Sequence, residues 1–187
     1  ERIYFRAPFE GDNVLWYTAG GAAQPARDSG GRTLKEADNF TIFKGVLFFT
    51  ADNGVSGVEL WKTADGYTFT LIDLKSGTGS NPDNLFVYRN GTGATSDDVL
   101  YLSATKNDGV ELWKTTTGAD AAAFGQVKDI NPSGDSSPNS FVEYGGKVYF
   151  SADSETDGFE LWVTDGTSGG TSQLANIYIT AGKGSSP

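Results

Sequence analysis

The residues best placed to do chemistry in this sequence are three acidic side chains at alternate positions of one short stretch, ADSETDG. They are Asp153, Glu155 and Asp157. Calcium prefers about six to eight oxygen ligands from carboxylates, carbonyls and water, so this spacing makes the stretch a candidate Ca²⁺ site. The alternative, which we favour, is that these carboxylates cap the amides of a tight turn, as Asp and Asn side chains commonly do.

Histidine and cysteine are both absent from the chain. Without histidine there is no ordinary general base, proton shuttle or imidazole metal ligand. Without cysteine there is no thiol nucleophile, disulfide or thiolate zinc site. A glycosidase needs only two suitably spaced carboxylates, so that class of enzyme stays open. The acidic residues recur with a repeat, however, as structural residues would, and we therefore expect a protein that is not an enzyme.

The composition is typical of a turn-rich all-β protein. The chain has 187 residues, of which 25 are glycine and 13% are aromatic. The formal net charge of −10 argues against binding to nucleic acid or to an anionic membrane surface. No apolar run is long enough to be a transmembrane helix, so membrane insertion is not expected.

The four tryptophans of the chain occupy one repeated position. Each follows an apolar residue by 11 or 12 positions, and an alanine stands two residues after that apolar residue. The strings around the last three are ELWKTADG, ELWKTTTG and ELWVTDGT, and VLWYTAGG is a weaker first copy. A period of about 50 residues with near-constant internal spacing indicates a structural repeat.

Each repeat contains four candidate strands, here called a, b, c and d. They are bounded by Gly, Asn, Asp and Ser, and the b–c connections carry hairpin signals at Asn53-Gly54, Asp108-Gly109 and Asp157-Gly158. Both faces of strand c carry bulky apolar residues, as a sheet packed between two neighbours requires. The tryptophans are therefore predicted to lie in the core between sheets and not to form a ligand platform.

These features predict an all-β, β-propeller-like array of about four four-stranded antiparallel blades. The array is a single domain over residues 1–187, with repeats at approximately 1–38, 39–83, 84–139 and 140–187. Over residues 39–180 we expect three such sheets and almost no helix. The first blade lacks strand a, so either it has three strands or the chain is a piece of a larger propeller, and we favour the second.

The segment from Val127 to Thr167 resembles the repeat of bacterial ELWxxDGT-repeat proteins. The resemblance is strongest over residues 127–174, weaker in the second and third repeats, and faint in the first. It implies a large secreted or cell-surface protein and says little about activity. The localisation expected from it is extracellular or at the cell surface.

The two edges of the predicted blades differ. The edge formed by the a–b and c–d loops varies in length between repeats, whereas the edge formed by the b–c and d–a loops is uniform. Function concentrates on loops held by a rigid scaffold, so the variable edge is the expected surface for a protein or glycan partner. Tyr17, Tyr67 and Phe124 lie in or beside its c–d loops and are the candidate glycan contacts.

Asn39 and Asn90 fit the N-glycosylation pattern Asn-X-Ser/Thr, which is short enough to occur by chance. The function expected from the sequence is adhesion, assembly or ligand binding by a non-enzymatic extracellular module. A lectin-like glycan-binding module is the alternative, and a carbohydrate-active enzyme is the less favoured third. Other copies of the chain or a larger assembly are further candidate partners.

Overall fold

A computed structural model describes residues 2–106, 109–177, 184, 185 and 187. Over these residues the protein is all-β, and its only helical segments are the 3₁₀ turns Thr95–Asp97 and Ala121–Ala123. The absence of α-helix from the described residues confirms the all-β prediction. The same residues include no helix with the length and apolar character needed to cross a membrane.

The chain divides into two compact units, Glu1–Pro82 and Asp83–Pro187. The boundary coincides with the predicted junction between the second and third repeats. Each unit therefore contains two repeats, and the pairing of strands is described for each unit separately.

The first unit holds one seven-stranded antiparallel sheet in the order β1-β2-β4-β5-β6-β7, with β3 paired to β2. Its strands are β1 Ile3–Phe9, β2 Asp12–Thr18, β3 Gln24–Pro25, β4 Lys35–Phe43, β5 Val46–Asp52, β6 Val58–Thr63 and β7 Thr70–Ile72. The sequence predicts a separate four-stranded sheet for the second repeat, and that prediction is wrong in one respect. The four strands β4 to β7 are present, but they are continuous with those of the first repeat.

The reason for this continuity is that β4 serves both repeats. Its first residue, Lys35, pairs with Val14 of β2 on one side and with Asp52 of β5 on the other. The second and third repeats each have a connection of about ten residues between strand d and the next strand a, and the first repeat has none. The pairing of β4 with β5 continues to Phe43, with a register shift on each side of Asp38.

The second unit holds two separate four-stranded sheets, β11-β10-β9-β8 and β12-β13-β14-β15. Their strands are β8 Asp83–Tyr88, β9 Val99–Thr105, β10 Val110–Thr115, β11 Gly125–Lys128, β12 Asn139–Tyr144, β13 Lys147–Asp153, β14 Phe159–Thr164 and β15 Ser172–Ala175. Each sheet is an up-and-down meander, as predicted for the third and fourth repeats. Residues 178–180, the end of the predicted range, lie outside the described residues.

Both units bury apolar side chains from one repeat against those of the next. In the second unit Tyr101 and Leu112 of the third repeat form one cluster with Phe150, Ala152 and Trp162 of the fourth. In the first unit Leu15 of the first repeat clusters with Phe49, Ala51 and Trp61 of the second, and Tyr4 packs against the same cluster. The same packing scheme therefore occurs twice, with the Phe-Ala-Trp set always facing the preceding repeat.

The tryptophans lie mainly in the core. Trp61, Trp113 and Trp162 are buried, and Trp16 of the first repeat is partly exposed. The indole N–H of Trp61 donates a 3.0 Å hydrogen bond to the carbonyl of Ala51, and that of Trp16 makes the matching bond to Ala7 at 3.3 Å. These contacts agree with the prediction that tryptophan serves packing.

Candidate functional site

The glutamate of each ELW string is a buried anchor for the uniform d–a loop. Glu111 accepts hydrogen bonds from the amides of Ile130, Asn131 and Ser136 and from the Ser136 hydroxyl. Because Ser136 lies 25 residues further along the chain, this carboxylate joins the start of strand c to the end of the loop. A buried carboxylate with four donors is fully used in holding structure.

The same arrangement occurs in the second and fourth repeats. Glu59 accepts from the amides of Leu74 and Ser80 and from the Ser80 hydroxyl. Glu160 accepts from the amides of Ile177 and Ser185 and from the Ser185 hydroxyl. Sequence reasoning missed these serines. The signal that identifies them is a serine two residues before proline in each of SNP, SSP and SSP.

The first repeat lacks both the glutamate of the ELW string and the d–a loop that this glutamate holds in the other repeats. Val14 occupies the glutamate position, and it is buried. This is also the repeat whose d–a loop is missing, because β4 runs directly from one repeat into the next. The carboxylate is therefore present where a loop needs an anchor and absent where it does not.

Burial raises the pKa of Glu59 and of Glu111 above the ordinary glutamate value, and the hydrogen bonds to serine oppose that shift. A glutamate with a raised pKa is a possible general acid in an enzyme. Here its oxygens face amides and a serine hydroxyl of the chain itself and line none of the clefts described below. The shift is therefore a consequence of structural burial.

The threonine that ends each strand c caps the turn that follows it. The hydroxyl oxygen of Thr63 accepts from the Gly66 amide at 2.8 Å, that of Thr115 from Gly118 at 2.9 Å and that of Thr164 from Gly166 at 2.8 Å. All three threonines are buried. The ELWxT string thus places one anchor for the uniform edge and one for the variable edge on the same strand.

The glycine in the Asp-Gly turn lies against a tyrosine of the preceding repeat. A Cβ at Gly66 would stand 2.7 Å from the hydroxyl of Tyr4, and one at Gly166 would stand 2.6 Å from that of Tyr101. Both glycines also have positive φ angles, +76° and +89°. Glycine is required here by the backbone conformation and by the close approach.

A cleft of about 560 Å³ opens beside Gly66 at the variable edge of the first unit. Its apolar lining includes Ile42 and Leu47, and its polar lining includes Arg2, Tyr4, Thr63 and Asp65. The guanidinium carbon of Arg2 lies 3.4 Å from the ring centroid of Tyr67, which is a cation–π contact. The Nε of Arg2 is buried and has no hydrogen-bond partner among the described residues.

Among the described residues that line this cleft, Asp65 is the only carboxylate, and its own turn already engages it. It accepts hydrogen bonds from the amides of Thr68 and Tyr67, which hold its pKa well below the ordinary range, and from the Thr68 hydroxyl. Burial raises the pKa of Tyr4, and the positive charge of Arg2 partly opposes this shift. The cleft therefore offers a cation, a hydroxyl and an apolar wall, and it lacks a carboxylic acid able to deliver a proton near neutral pH.

A second cleft, of about 440 Å³, lies at the variable edge of the second unit. It is lined in part by Lys114, Thr115, Gly166 and Ser168, which come from the c–d regions of the third and fourth repeats. Clefts at this edge thus occur in both units, next to the same glycine–tyrosine contact.

The three candidate glycan contacts differ in exposure. Tyr67 is 58% exposed, whereas Tyr17 is partly buried and packs edge-on against Tyr67 and Phe69. Phe124 is a buried core residue, so the expectation that it is an exposed loop aromatic is wrong. Its c–d loop turns inward because the 3₁₀ turn Ala121–Ala123, capped by Asp120, precedes it.

The acidic loop of the fourth repeat contains a turn cap. Asp153 accepts a 2.7 Å hydrogen bond from the amide of Glu155, whose φ of +72° marks a tight turn. The matching Asp52 accepts from Gly54 at 2.6 Å. Among the residues that the structure describes, Asp153, Glu155 and Asp157 included, no group of three acidic side chains is arranged to hold a metal ion. Calcium binding at this loop stays a prediction, and Asn107 and Asp108 of the third repeat lie outside the described residues.

The glycosylation candidates occupy different settings. Asn39 lies within β4, is partly buried and donates a 3.4 Å hydrogen bond to the Thr50 hydroxyl. Asn90 is exposed in the long a–b loop of the third repeat, where its side-chain oxygen accepts from the Tyr88 hydroxyl at 2.8 Å. Of the two, Asn90 is the more accessible to a modifying enzyme.

The chain matches no protein-family model, and no curated protein sequence matches it significantly. The resemblance to ELWxxDGT repeats therefore stays a prediction from the motifs themselves.

Proposed function

We propose that the chain is a non-enzymatic, β-propeller-like repeat module of an extracellular or cell-surface protein, and that it binds a protein or glycan at its variable loop edge. The main support for a binding surface at this edge is the cleft beside Gly66, where Arg2 contacts Tyr4 and Tyr67. The resemblance of residues 127–167 to ELWxxDGT repeats supports the extracellular location. The repeated burial of apolar side chains of one repeat against those of the next within each unit supports the propeller-like arrangement.

The use of the repeated polar residues supports a role without catalysis. The glutamate and the threonine of each ELWxT string are saturated by hydrogen bonds to the chain itself. The recurring glutamate is therefore explained by structure, and the part of the chain that the structure describes places no second carboxylate in the lining of the cleft to complete a glycosidase pair.

The variable edge can be tested with a photo-crosslinking amino acid at position 67, compared with one at position 55. Val55 is also exposed, but it lies in the b–c loop of the second repeat, at the uniform edge. Incubation with the extracellular proteins of the source should give adducts from position 67 and not from position 55. Equal adducts from both positions would contradict a dedicated surface at the variable edge.

Glycan binding is the alternative, and the exposed ring of Tyr67 beside a guanidinium favours it. Aromatic rings and planar cations suit the apolar faces and the hydroxyl or carboxyl groups of sugars. A glycan array probed with the wild-type chain, with Tyr67→Ala and with Val55→Ala, a control at the uniform edge, tests this. Binding lost only in Tyr67→Ala supports a lectin-like site, whereas a blank array with an intact fold rejects it. Turnover of a retained polysaccharide would overturn the non-enzymatic assignment.

A further inference from the structure

The chain contains two Asn-Gly pairs, and the structure places them in opposite settings. They are Asn53-Gly54 in the b–c loop of the second repeat and Asn90-Gly91 in the a–b loop of the third. In such a pair the main-chain nitrogen of the glycine can attack the side-chain amide of the asparagine, because glycine has no Cβ to obstruct the approach. Whether a pair reacts is then decided by what surrounds the asparagine side chain.

The side-chain amide of Asn53 is buried and held at both of its polar atoms. Its Nδ2 donates to a carboxylate oxygen of Asp28 at 3.1 Å, and its Oδ1 accepts from the amides of Val55 and Ser56, each at 3.0 Å. Only 8% of the residue is exposed. Turning this side chain towards the nitrogen of Gly54 breaks these hydrogen bonds inside the protein, which is costly. The fold therefore protects Asn53.

The surroundings of Asn90 are different. Both Asn90 and Gly91 are exposed, and they lie outside the strands in the loop 89–98. The a–b connections of the second and fourth repeats are only the pairs 44–45 and 145–146, so the loop of the third repeat is extended. Within the part of the chain that the structure describes, neither the Nδ2 of Asn90 nor the amide of Gly91 has a hydrogen-bond partner. The nitrogen that would attack and the nitrogen that would leave are thus both unrestrained.

One protein group does contact the side chain of Asn90, and it favours the reaction. The hydroxyl of Tyr88 donates a 2.8 Å hydrogen bond to the Oδ1 of Asn90. When a nitrogen attacks Cγ, this oxygen takes up the negative charge of the tetrahedral intermediate, and a donor already in place stabilises that charge. Burial and the nearby charge of Glu143 raise the pKa of Tyr88, so the hydroxyl keeps the proton that it donates.

We propose that Asn90 is a site of spontaneous covalent modification, at which the nitrogen of Gly91 attacks the side-chain amide and the Tyr88 hydroxyl promotes the step. The Gly91 amide gives its proton to hydroxide, and its nitrogen forms a bond to Cγ while the carbonyl electron pair moves to Oδ1. That pair returns as the bond from Cγ to Nδ2 breaks, and Nδ2 leaves as ammonia with a proton from water, which regenerates hydroxide. Water then opens the cyclic imide at either carbonyl, which gives aspartate or isoaspartate.

The product differs from asparagine in charge and, in part, in backbone. A neutral amide becomes a carboxylate near Glu143, whose Oε2 accepts from the amide of Arg89 at 3.0 Å, and like charges at close range repel. The isoaspartate form also adds a methylene group to the main chain. The reaction consumes the amide that a glycan on Asn90 would need, so the two modifications exclude each other.

The extended loop lies at the variable edge, so the modification would alter the surface that is proposed above for a partner. This consequence alone rests on the proposed function. The reaction itself depends only on Asn90 and its neighbours, and its products are measured chemically whether or not a partner binds.

Incubation of the purified chain, produced in a host that does not glycosylate it, tests the proposal. Samples are taken over days at neutral pH and physiological temperature and digested with an acid protease, since low pH suppresses the reaction during handling. Chromatography and mass spectrometry then measure aspartate and isoaspartate at each Asn-Gly pair. Parallel samples in urea remove the effect of the structure.

Two variants isolate the role of the hydroxyl. Tyr88→Phe removes only the group that donates to Asn90. Tyr144→Phe is the matched control, because Tyr144 ends β12 as Tyr88 ends β8, and the only hydrogen bond to the Asn90 side chain among the described residues comes from Tyr88. Near-UV circular dichroism verifies that both variants are folded.

In the native chain we expect Asn90 to convert to aspartate and isoaspartate while Asn53 stays intact. Tyr88→Phe should slow the conversion several-fold, and Tyr144→Phe should leave the rate unchanged. In urea both pairs should react at similar rates, with no effect of Tyr88→Phe. A native Asn90 that stays intact while both pairs react in urea, or a native Asn53 that reacts as fast as Asn90, would overturn the proposed site. A native rate in Tyr88→Phe equal to or above that of the wild type would overturn the role of the hydroxyl.

Discussion

The hydroxyl of Ser136 donates a 2.7 Å hydrogen bond to the buried carboxylate of Glu111, 25 residues before it in the chain. The bond recurs between Ser80 and Glu59 and between Ser185 and Glu160. It ties the d–a loop to the start of strand c, so the ELW string encodes the loop that leads to the next repeat as well as its own strand. The glutamate of the ELW string thus holds the loop that links one repeat to the next.

Replacing this carboxylate should destabilise the second unit strongly. Glu111→Ala leaves the buried amides of Ile130 and Asn131 without the carboxylate that accepts from them, and each such unpaired group costs about 1–3 kcal/mol. Glu111→Gln keeps the shape and one acceptor oxygen, so its cost should be smaller. The free energy of unfolding from denaturant titration measures both.

Val14→Ala is the informative comparison for that experiment, because Val14 occupies the same position in the repeat without a d–a loop. Its cost should be that of truncating a buried valine and should not include unpaired amides. Equal stability of Glu111→Ala and wild type would show that the loop holds without the carboxylate.

The pH dependence of stability should pass through a maximum in mildly acidic solution. The folded-state pKa values of Glu59 and Glu111 are raised by burial, so these groups favour folding below the ordinary glutamate value and lose that contribution as pH rises through their folded values. Asp28, Asp65 and Asp165 have lowered pKa values, and their contribution is lost as pH falls below the ordinary aspartate value of 3.8. Stability should therefore increase as pH falls through the raised folded pKa values of Glu59 and Glu111, and it should decrease again as pH falls below 3.8.

Thermal melts across this pH range, in wild type and in Glu59→Gln, measure the effect. The variant removes one of the two raised groups, so its gain between pH 8 and the maximum should be smaller. If both Glu59→Gln and Glu111→Gln gained as much melting temperature between pH 8 and the maximum as the wild type, the pH dependence would come from general charge repulsion instead.

Gly66→Ala should destabilise the first unit more than Gly31→Ala. The two glycines have nearly the same φ angle, +76° and +80°, so the backbone strain of the substitution is matched. Only at Gly66 would the new methyl group meet Arg2 and the Tyr4 hydroxyl. Overpacking of this kind costs about 1–3 kcal/mol, and denaturant midpoints should show that excess. Equal costs would mean that Tyr4 moves away freely.

Much of the fold was predictable because its signals are local. Strand alternation around the tryptophans, the Asn-Gly and Asp-Gly turns and the near-constant spacing from Phe150 to Trp162 specify the b–c hairpins directly. The burial of Trp162 between two repeats followed from the bulky residues on both faces of strand c, whereas the repeat that it faces did not. The merging of the first two repeats did not follow, because it depends on Lys35 at the start of β4 pairing with both β2 and β5.

The candidate site was less predictable. The variable edge was identified from loop lengths, but the cleft depends on Arg2 reaching the ring of Tyr67, 65 positions away, and no local pattern signals that contact. Phe124 was misassigned because a polar c–d loop conceals a short turn that directs the ring into the core. A contact between two side chains far apart in the chain cannot be predicted from the sequence when neither residue belongs to the repeat.

The acidic loop of the fourth repeat can be tested by melts in chelator and in millimolar Ca²⁺ at fixed ionic strength. A Ca²⁺ site in the native state adds about 2.7 kcal/mol at 100 times its Kd, and Asp157→Asn should remove that gain. If Asp153 instead acts only as the cap on Glu155, the two melts coincide, and Asp153→Ala lowers stability by about 1 kcal/mol in both. Mg²⁺ matching Ca²⁺ would also contradict a calcium site, since Mg²⁺ demands tighter octahedral geometry.

Trp113→Ala should cost about 3–5 kcal/mol, the usual range for emptying a large aromatic core site. Trp113 is buried, and the ammonium of Lys106 lies 5.1 Å from its ring centroid, so the substitution removes both packing and a cation–π contact. Trp16→Ala is the control from the same position of the first repeat, where the ring is partly exposed, and it should cost less. Denaturant titrations of both variants give the two values. If Trp113→Ala left the free energy of unfolding nearly unchanged, the ring would be accessible and available to a ligand. Tryptophan would then have a role besides packing the sheets.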